Sequence, residues 1–263
     1  MRRIRGMFKT SLKDAMAYKF DMMLTLVFAP VSIIISYFLW KTIFAYNPSS
    51  LIGGFSFQEM ITYYVITWIV GIITFTDIGD FISYDVKNGN IAKNLVLPMN
   101  YIIFCLVYSL GGRLLALFIE ALPIIIVSFA ILSIKIVLVN MPFFAISLFF
   151  ALVLNFLITT LFALSAFWII ETRGVLKLKR VLVHFLSGAV LPITFFPLIY
   201  QKISFYLPFQ YLEFVPINFW LGKYGLGQSM IMLGMQLAWI GIFYILCIIV
   251  WKRAITKATS VGI

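Results

Sequence analysis

The chain has 263 residues, of which 63% are hydrophobic and only 11% are charged, and its net charge is +11. A soluble domain typically carries about 25% charged residues, so this composition excludes an ordinary globular protein and predicts an integral membrane protein. In a membrane, Lys and Arg orient the chain, and the positive charge is therefore not evidence for nucleic-acid binding. We expect an all-α polytopic membrane protein that binds membrane lipid and no nucleic acid.

The first 20 residues are basic and amphipathic, with apolar residues at every fourth position from Ile4 to Phe20. This pattern predicts a helix at 1–20 that lies in the headgroup region with its cations toward anionic lipid. A disordered basic tail is the alternative. The first apolar run begins near Leu24, behind the basic segment, and it lacks a small-residue cleavage site, so we predict no cleavable signal peptide.

Six apolar stretches of about the length that crosses a bilayer predict six spans in a single membrane domain, 1–263. If both termini are cytoplasmic, the inner segments hold 16 Lys and Arg residues and the outer segments hold 4. This asymmetry follows the positive-inside rule, so we expect a multi-pass plasma-membrane protein with cytoplasmic N- and C-termini. The predicted spans are Met22–Phe44, Gln58–Phe75, Leu114–Ile134, Phe143–Ile170, Val181–Pro197 and Met230–Trp251.

The connection between the second and third predicted spans, 77–98, is polar where its surroundings are apolar. One face of a helix would carry Ile78, Phe81, Ile82 and Val86, and Asn88-Gly89-Asn90 then favours a turn. These features predict a short amphipathic hairpin. It is either a solvated linker or a docking element that offers apolar residues to a partner, and its predicted cytoplasmic location favours docking.

The connection between the fifth and sixth predicted spans, 201–223, is rich in aromatic residues and is interrupted by Pro208 and Pro216. It is too broken to cross the bilayer as one helix. We predict short re-entrant helices in the outer leaflet, with Tyr and Trp at the interface, rather than an ordinary extracellular loop.

Residue patterns that carry enzymatic chemistry are absent from the sequence. There is one His, His184, and there is no HExxH, GxSxG or Walker A sequence. Cys105 and Cys247 lie in apolar surroundings without metal-ligand spacing. We therefore predict no catalytic residue, no metal site and no cofactor in this chain, and a membrane enzyme is the least favoured class.

One carboxylate, Glu120, falls well inside a predicted span, where burial of a charge costs about 2.5–3.5 kcal/mol or more. It is either a functional group or the structural partner of Arg113, which lies seven residues earlier on nearly the same helix face. A proton-coupled carrier that uses Glu120 remains the alternative function, although such a carrier would be expected to contain more relay groups.

Several segments resemble the permease subunits of ABC type-2 transporters, in particular small prokaryotic permeases of uncertain substrate. The family motif I-x-x-G-x-I/L-x-x-x-L-x-x-P is similar to the run that ends at Pro98, where Leu97 stands in place of the usual basic residue. The other resembling segments are Ala17-Tyr18-Lys19, Gly54–Tyr63, Leu186-Ser187-Gly188, Pro192 and Phe196-Pro197-Leu198.

This resemblance implies a six-span permease without ATPase activity, with an interfacial N-terminal helix, outer re-entrant helices and a cytoplasmic coupling helix. Two permease subunits, identical or paralogous, would assemble with a dimer of a separate cytosolic ABC ATPase. That ATPase would bind the ATP and Mg²⁺, and the complex would export a hydrophobic or amphipathic substrate. The residues expected to contact the ATPase are Ile82, Val86, Gly89, Ile91 and Leu95.

The first, second and fifth spans would then line the translocation route between the two permease subunits. Aromatic residues near the outer end would form its gate, and helix packing is an equally good interpretation of each. The predicted gate residues are Phe195, Phe205, Tyr206, Phe209 and Tyr211.

Overall fold

A computed structural model describes residues 10–11, 13, 19–47, 49–91, 100–132, 134, 138–169 and 171–260. Most of the predicted interfacial helix at 1–20 and residues 92–98 of the hairpin lie outside this description. Helices dominate the described residues, and no strand is found among them. The helices are α1 (Lys19–Tyr46), α2 (Phe57–Thr74), α3 (Ile78–Lys87), α4 (Tyr101–Ala116), α5 (Leu122–Leu132), α6 (Met141–Ala163), α7 (Arg173–Leu186), α8 (Leu198–Ser204), α9 (Phe214–Trp220) and α10 (Leu226–Ser260).

Five helical stretches in the described part of the chain are long and apolar enough to cross a membrane. They confirm the predicted all-α polytopic membrane architecture. Four of them match predicted spans one, two, four and six, although the second continues into the hairpin helix α3. The five stretches are Met23–Tyr46, Phe57–Lys87, Tyr101–Leu132, Met141–Phe167 and Leu226–Lys257.

The third membrane helix is longer than predicted, because it begins at Tyr101 rather than at Leu114. The Asn100 side chain accepts a hydrogen bond from the Ile102 backbone N–H at 2.9 Å and caps this early start. Residues 113–132 alone extend about 30 Å, the thickness of the hydrocarbon core. Residues 101–112 are therefore an extension of the span, and they pack beside the hairpin.

The predicted fifth span, Val181–Pro197, is not one continuous helix. The helix α7 has 14 residues, a length of about 21 Å, which is too short to cross the hydrocarbon core. It ends where Gly188 adopts a left-handed conformation, with φ of 90°. Pro192 follows and cannot donate a backbone hydrogen bond, so the helix does not resume there. The Tyr63 hydroxyl donates to the Gly188 carbonyl at 2.7 Å and holds this break inside the bundle.

The segment 198–220 folds back as two short helices, α8 and α9, that pack into the bundle. Phe219 is buried and stacks on Phe143 of α6 with ring centroids 6.0 Å apart. The Gln236 amide of α10 donates to the Tyr211 carbonyl at 2.8 Å. This segment is thus part of the helical body, and its re-entrant depth in the outer leaflet stays a prediction.

The buried apolar residues form two cores. The larger one joins α1, α2, α6 and α9. The smaller one lies at the hairpin end of the bundle and joins α3 to α4, α6, α7 and α10. Its fully or nearly fully buried members include Ile78, Ile82, Ile91, Cys105, Phe156, Leu164 and Cys247.

Candidate functional site

The hairpin helix α3 is anchored by the apolar face that the sequence analysis assigned to a partner. Ile82, Val86 and Ile91 are 0%, 9% and 1% exposed, because they fill the smaller core. In this structure these three side chains face the chain's own core, and their contact with an ATPase stays a prediction. Gly89 has φ of 69° and ends the helix as predicted from its tolerance of a left-handed turn. Leu95 lies outside the described residues.

The exposed face of α3 is instead polar and aromatic. Tyr84 is 63% exposed, and Lys87 and Asn88 are exposed beside it. Lys87 comes within 4.0 Å of Glu171, a surface pair that contributes little to stability. The hairpin therefore exposes one large aromatic side chain, which a partner could contact. Tyr84 and Lys87 also line the mouth of the groove described below.

Close packing joins α3 to α6 and α7. A Cβ atom on Gly79 of α3 would lie 2.9 Å from Leu176 Cδ2 of α7 and 3.1 Å from Thr159 Cγ2 of α6. These distances are shorter than ordinary carbon–carbon contacts. Glycine at position 79 leaves room for the Leu176 and Thr159 side chains, so the three helices pack closely at this point.

A polar network joins α2, α6 and α7 nearby. The buried Lys179 of α7 donates to Asn155 Oδ1 at 2.8 Å and to Thr159 Oγ1 at 2.7 Å. The Asn155 amide donates to the Thr74 carbonyl at the end of α2, also at 2.8 Å. Burial, with a smaller contribution from nearby Arg180, lowers the pKa of Lys179 to about 8. The network therefore links the junction of α2 and α3 to α6 and α7.

A groove of about 1340 Å³ runs from the hairpin into the membrane part of the bundle. It lies among α1, α2, α3, α4, the π-helical turn Leu117–Ala121 and α7, and no described residue of the 49–57 connection lines it. Its wall contains hydroxyl groups from α1 and α2 beside aromatic rings, so it can contact a molecule that has both polar and apolar parts. These residues include Thr25, Ser32, Ser36, Tyr64, Thr67 and Trp68.

The hairpin end of the groove contains charges of both signs. Arg113 lies 3.4 Å from Asp77 and donates to the Ile72 carbonyl at 3.3 Å. The guanidinium groups of Arg113 and Arg180 lie 5.1 and 5.8 Å from the centre of the Phe75 ring. Arg113 is thus the partner of Asp77. The alternative in which Arg113 forms an ion pair with Glu120 is not observed among the described ion pairs.

The membrane part of the groove contains two carboxyl groups, Glu120 and Glu213. Glu120 is 8% exposed, lies in the π-helical turn and interacts with the Thr25 hydroxyl. Glu213 precedes α9, and its Oε2 atom is buried with no hydrogen-bond partner in the described part of the chain. Glu213 Oε1 faces Gly71, at whose position a Cβ atom would be 3.9 Å away.

The five predicted gate residues do not form one cluster. Phe195 packs on Trp40 with ring centroids 5.4 Å apart, and Phe205 contacts Tyr206 at 5.2 Å. Tyr211 is fully buried, and its hydroxyl donates to the Phe205 carbonyl at 2.6 Å. Tyr206 is 69% exposed and Phe209 is half-buried. None of the five lines the groove, and their role as a gate stays a prediction.

Three features of the site were not predicted from the sequence. Glu213 is the one carboxylate of the aromatic segment 201–223, a signal that could have identified it. From the sequence, Lys179 belongs to a polar loop, because the neighbouring residues do not indicate that a helix begins at Arg173. Tyr84 could have been found by asking which large side chain lies opposite the apolar face of α3.

Comparison with known proteins agrees with this geometry. The family model described as ABC-2 family transporter protein matches residues 31–262, which include every helix discussed above except the start of α1. No curated protein matches the sequence. Proteins of this family are the membrane permeases of ABC transporters and normally work with an ATPase subunit. The chain is a multi-pass membrane permease that belongs to the ABC-2 transporter family.

Proposed function

We propose that this permease exports a hydrophobic or amphipathic substrate and that a separate cytosolic ABC ATPase drives it through α3. The observation that carries the proposal is the construction of α3. Its apolar face is fixed in a core shared with α4, α6, α7 and α10, while Tyr84 remains exposed. A partner that pushes on Tyr84 would therefore move several membrane helices together.

The groove supports a route that is loaded from the hairpin side. It is lined by residues of α3 at one end, and no described residue of the outer connection at 49–57 contributes to it. With the hairpin in the cytoplasm, as the positive-inside rule predicts, a substrate would enter from the cytoplasm or inner leaflet and leave outward. The polar and aromatic wall suits an amphipathic molecule.

A second permease subunit, identical or paralogous, would cover the open side of the groove. The helix α1 forms one wall of the groove and exposes a long row of large apolar side chains, which either lipid or a second subunit would cover. These include Leu24, Phe28, Val31, Ile35 and Leu39. Two permeases and two ATPase subunits would then form the complete transporter, with ATP and Mg²⁺ bound by the ATPase.

Co-purification tests this proposal. The tagged permease should carry an ATPase with Walker A and signature sequences out of native membranes, and Tyr84→Asp should reduce the amount of that ATPase by about tenfold or more. Tyr46→Asp is the matched control, since Tyr46 is also an exposed tyrosine but ends α1 beside the other end of α2. Unchanged co-purification of the Tyr84→Asp variant would contradict the proposal.

Glu120 is the observation that favours the second candidate, an ATP-independent carrier. It is a buried carboxyl in a π-helical turn that faces the groove, and such turns are frequent at functional sites. Purified permease in proteoliposomes distinguishes the two candidates. Substrate accumulation driven by a proton gradient without any ATPase, and lost in Glu120→Gln, would support the carrier.

A further inference from the structure

We propose that the membrane part of the groove selects substrates that carry a positive charge on an apolar body, and that Glu213 and Glu120 are the groups that bind this charge. The inference rests on the proposed transport function and adds the chemical class of the substrate. It begins from the difference between the two ends of the groove.

Only carboxyl groups provide charge in the membrane part of the groove. All the Lys and Arg residues that line the groove belong to its hairpin end, where acidic residues accompany them. Neither Glu120 nor Glu213 forms an ion pair with a basic side chain among the described residues, although Arg113 interacts with Glu120 over a longer distance. The carboxyl groups would repel a negatively charged substrate, whereas a cation would provide the positive charge that pairs with them.

Glu213 shows the need for a partner most directly. Its Oε2 atom is buried and accepts no hydrogen bond from the described residues. A carboxylate in an apolar interior is stable only when it is protonated or paired with a positive group, because burial removes its hydration. An ammonium or guanidinium group in the groove would be such a partner.

The aromatic wall would hold the remainder of such a molecule. Tyr64 and Trp68 line the groove near the two carboxyl groups, and aromatic faces attract both apolar bodies and cations. The protein itself shows this contact at the other end of the groove, where two guanidinium groups lie within 6 Å of the Phe75 ring. The volume of about 1340 Å³ exceeds that of a typical small-ligand pocket, so it can accept a molecule with a bulky body.

Equilibrium dialysis with two probes of matched shape tests this inference. Tetraphenylphosphonium is a cation and tetraphenylborate is an anion of nearly the same size. The permease in nanodiscs, with empty nanodiscs to correct for partition into lipid, should bind the cation in preference to the anion. Glu213→Gln should weaken cation binding by at least about tenfold. Glu120→Gln should weaken it as well, and neither variant should weaken the residual binding of the anion.

Glu59→Gln is the matched control, because Glu59 also lies in a membrane helix but does not line the groove. Its role in the cap of α2 is retained by Gln, which also serves in such caps. It should bind both probes as the wild type does. Thermal unfolding of each variant like that of the wild type would show that the protein is folded, so misfolding cannot imitate the expected result.

Equal affinity of the wild type for the two probes, or unchanged cation binding in Glu213→Gln, would overturn the inference. The experiment contains no ATPase and no nucleotide. Failure here would therefore leave the proposal of an ATP-driven permease intact, and that proposal fails separately if Tyr84→Asp leaves ATPase co-purification unchanged.

Discussion

At the scale of single residues, the site contains charged side chains that are buried, although charged residues are usually exposed. Lys179 is 8% exposed, and the acceptors of its ammonium group, Asn155 and Thr159, are neutral. A charge buried in this way costs folding free energy, since neutral acceptors replace only part of its hydration. Its hydrogen bonds join α7 to α6, and through Asn155 to the end of α2, so its pKa offers a direct measurement of this junction.

The lowered pKa of Lys179 predicts that stability rises with pH. The unfolded chain keeps the ordinary lysine pKa of 10.5, whereas the folded protein releases this proton near pH 8. Between these values the unfolded state binds more protons, so the free energy of unfolding should increase from pH 8 to pH 10.5 and stay level below pH 8.

Thermal unfolding in detergent at several pH values measures this effect. The comparison is with Lys179→Met, in which every other titrating group is retained. The difference in unfolding temperature between wild type and variant isolates the contribution of Lys179. The wild type should gain stability relative to the variant as the pH rises from 8 to 10.5. A difference that is constant from pH 7 to pH 10.5 would show that Lys179 is not buried as a free amine.

At the scale of elements, the two faces of α3 have different roles: the apolar face anchors the helix, and the opposite face is exposed. A short amphipathic helix beside a membrane bundle can turn its apolar face to a partner or to its own protein. Here the extension of α4 to Tyr101 provides the surface that covers it, with Phe81 stacked on Tyr108 at 5.2 Å and the Tyr101 hydroxyl bonded to Asp85.

Substitutions on the two faces of α3 should therefore have different effects on the free energy of unfolding. Val86→Asp places a charge in the smaller core and should lower the free energy of unfolding by about 3 kcal/mol or more. Tyr84→Asp changes an exposed side chain and should alter it by less than about 0.5 kcal/mol. Denaturant titration in detergent micelles measures both. Equal effects would mean that α3 is not packed as described.

Four of the six predicted spans, the first helix of the hairpin and its Gly89 turn could be predicted from the sequence, because hydrophobic length and turn residues are local signals. The partners of buried faces could not. The burial of Ile82 and Val86 depends on residues 101–112, which are distant in sequence and lie outside the predicted third span. The break after α7 depends on the contact of Gly188 with Tyr63, which composition does not reveal.

At the scale of the whole molecule, the two cores divide the permease into a membrane body and a hairpin end. The groove crosses from one to the other, so a movement of α3 against the larger core would change its shape. The helix α3 packs on α6 and, through Gly79, on α7, so its movement would act on both helices. For the proposed ATPase, this arrangement would provide a physical path to the carboxyl groups of the groove.

Site-specific photo-crosslinking in intact cells tests this central claim most directly. A photoreactive phenylalanine analogue at position 84 should form an adduct with a cytoplasmic protein that contains Walker A and signature sequences. The same analogue at position 46, the other end of the bundle, should not. An adduct with that ATPase from position 46 instead of position 84, or labelling of position 84 by a membrane-impermeant reagent from outside the cell, would contradict the account.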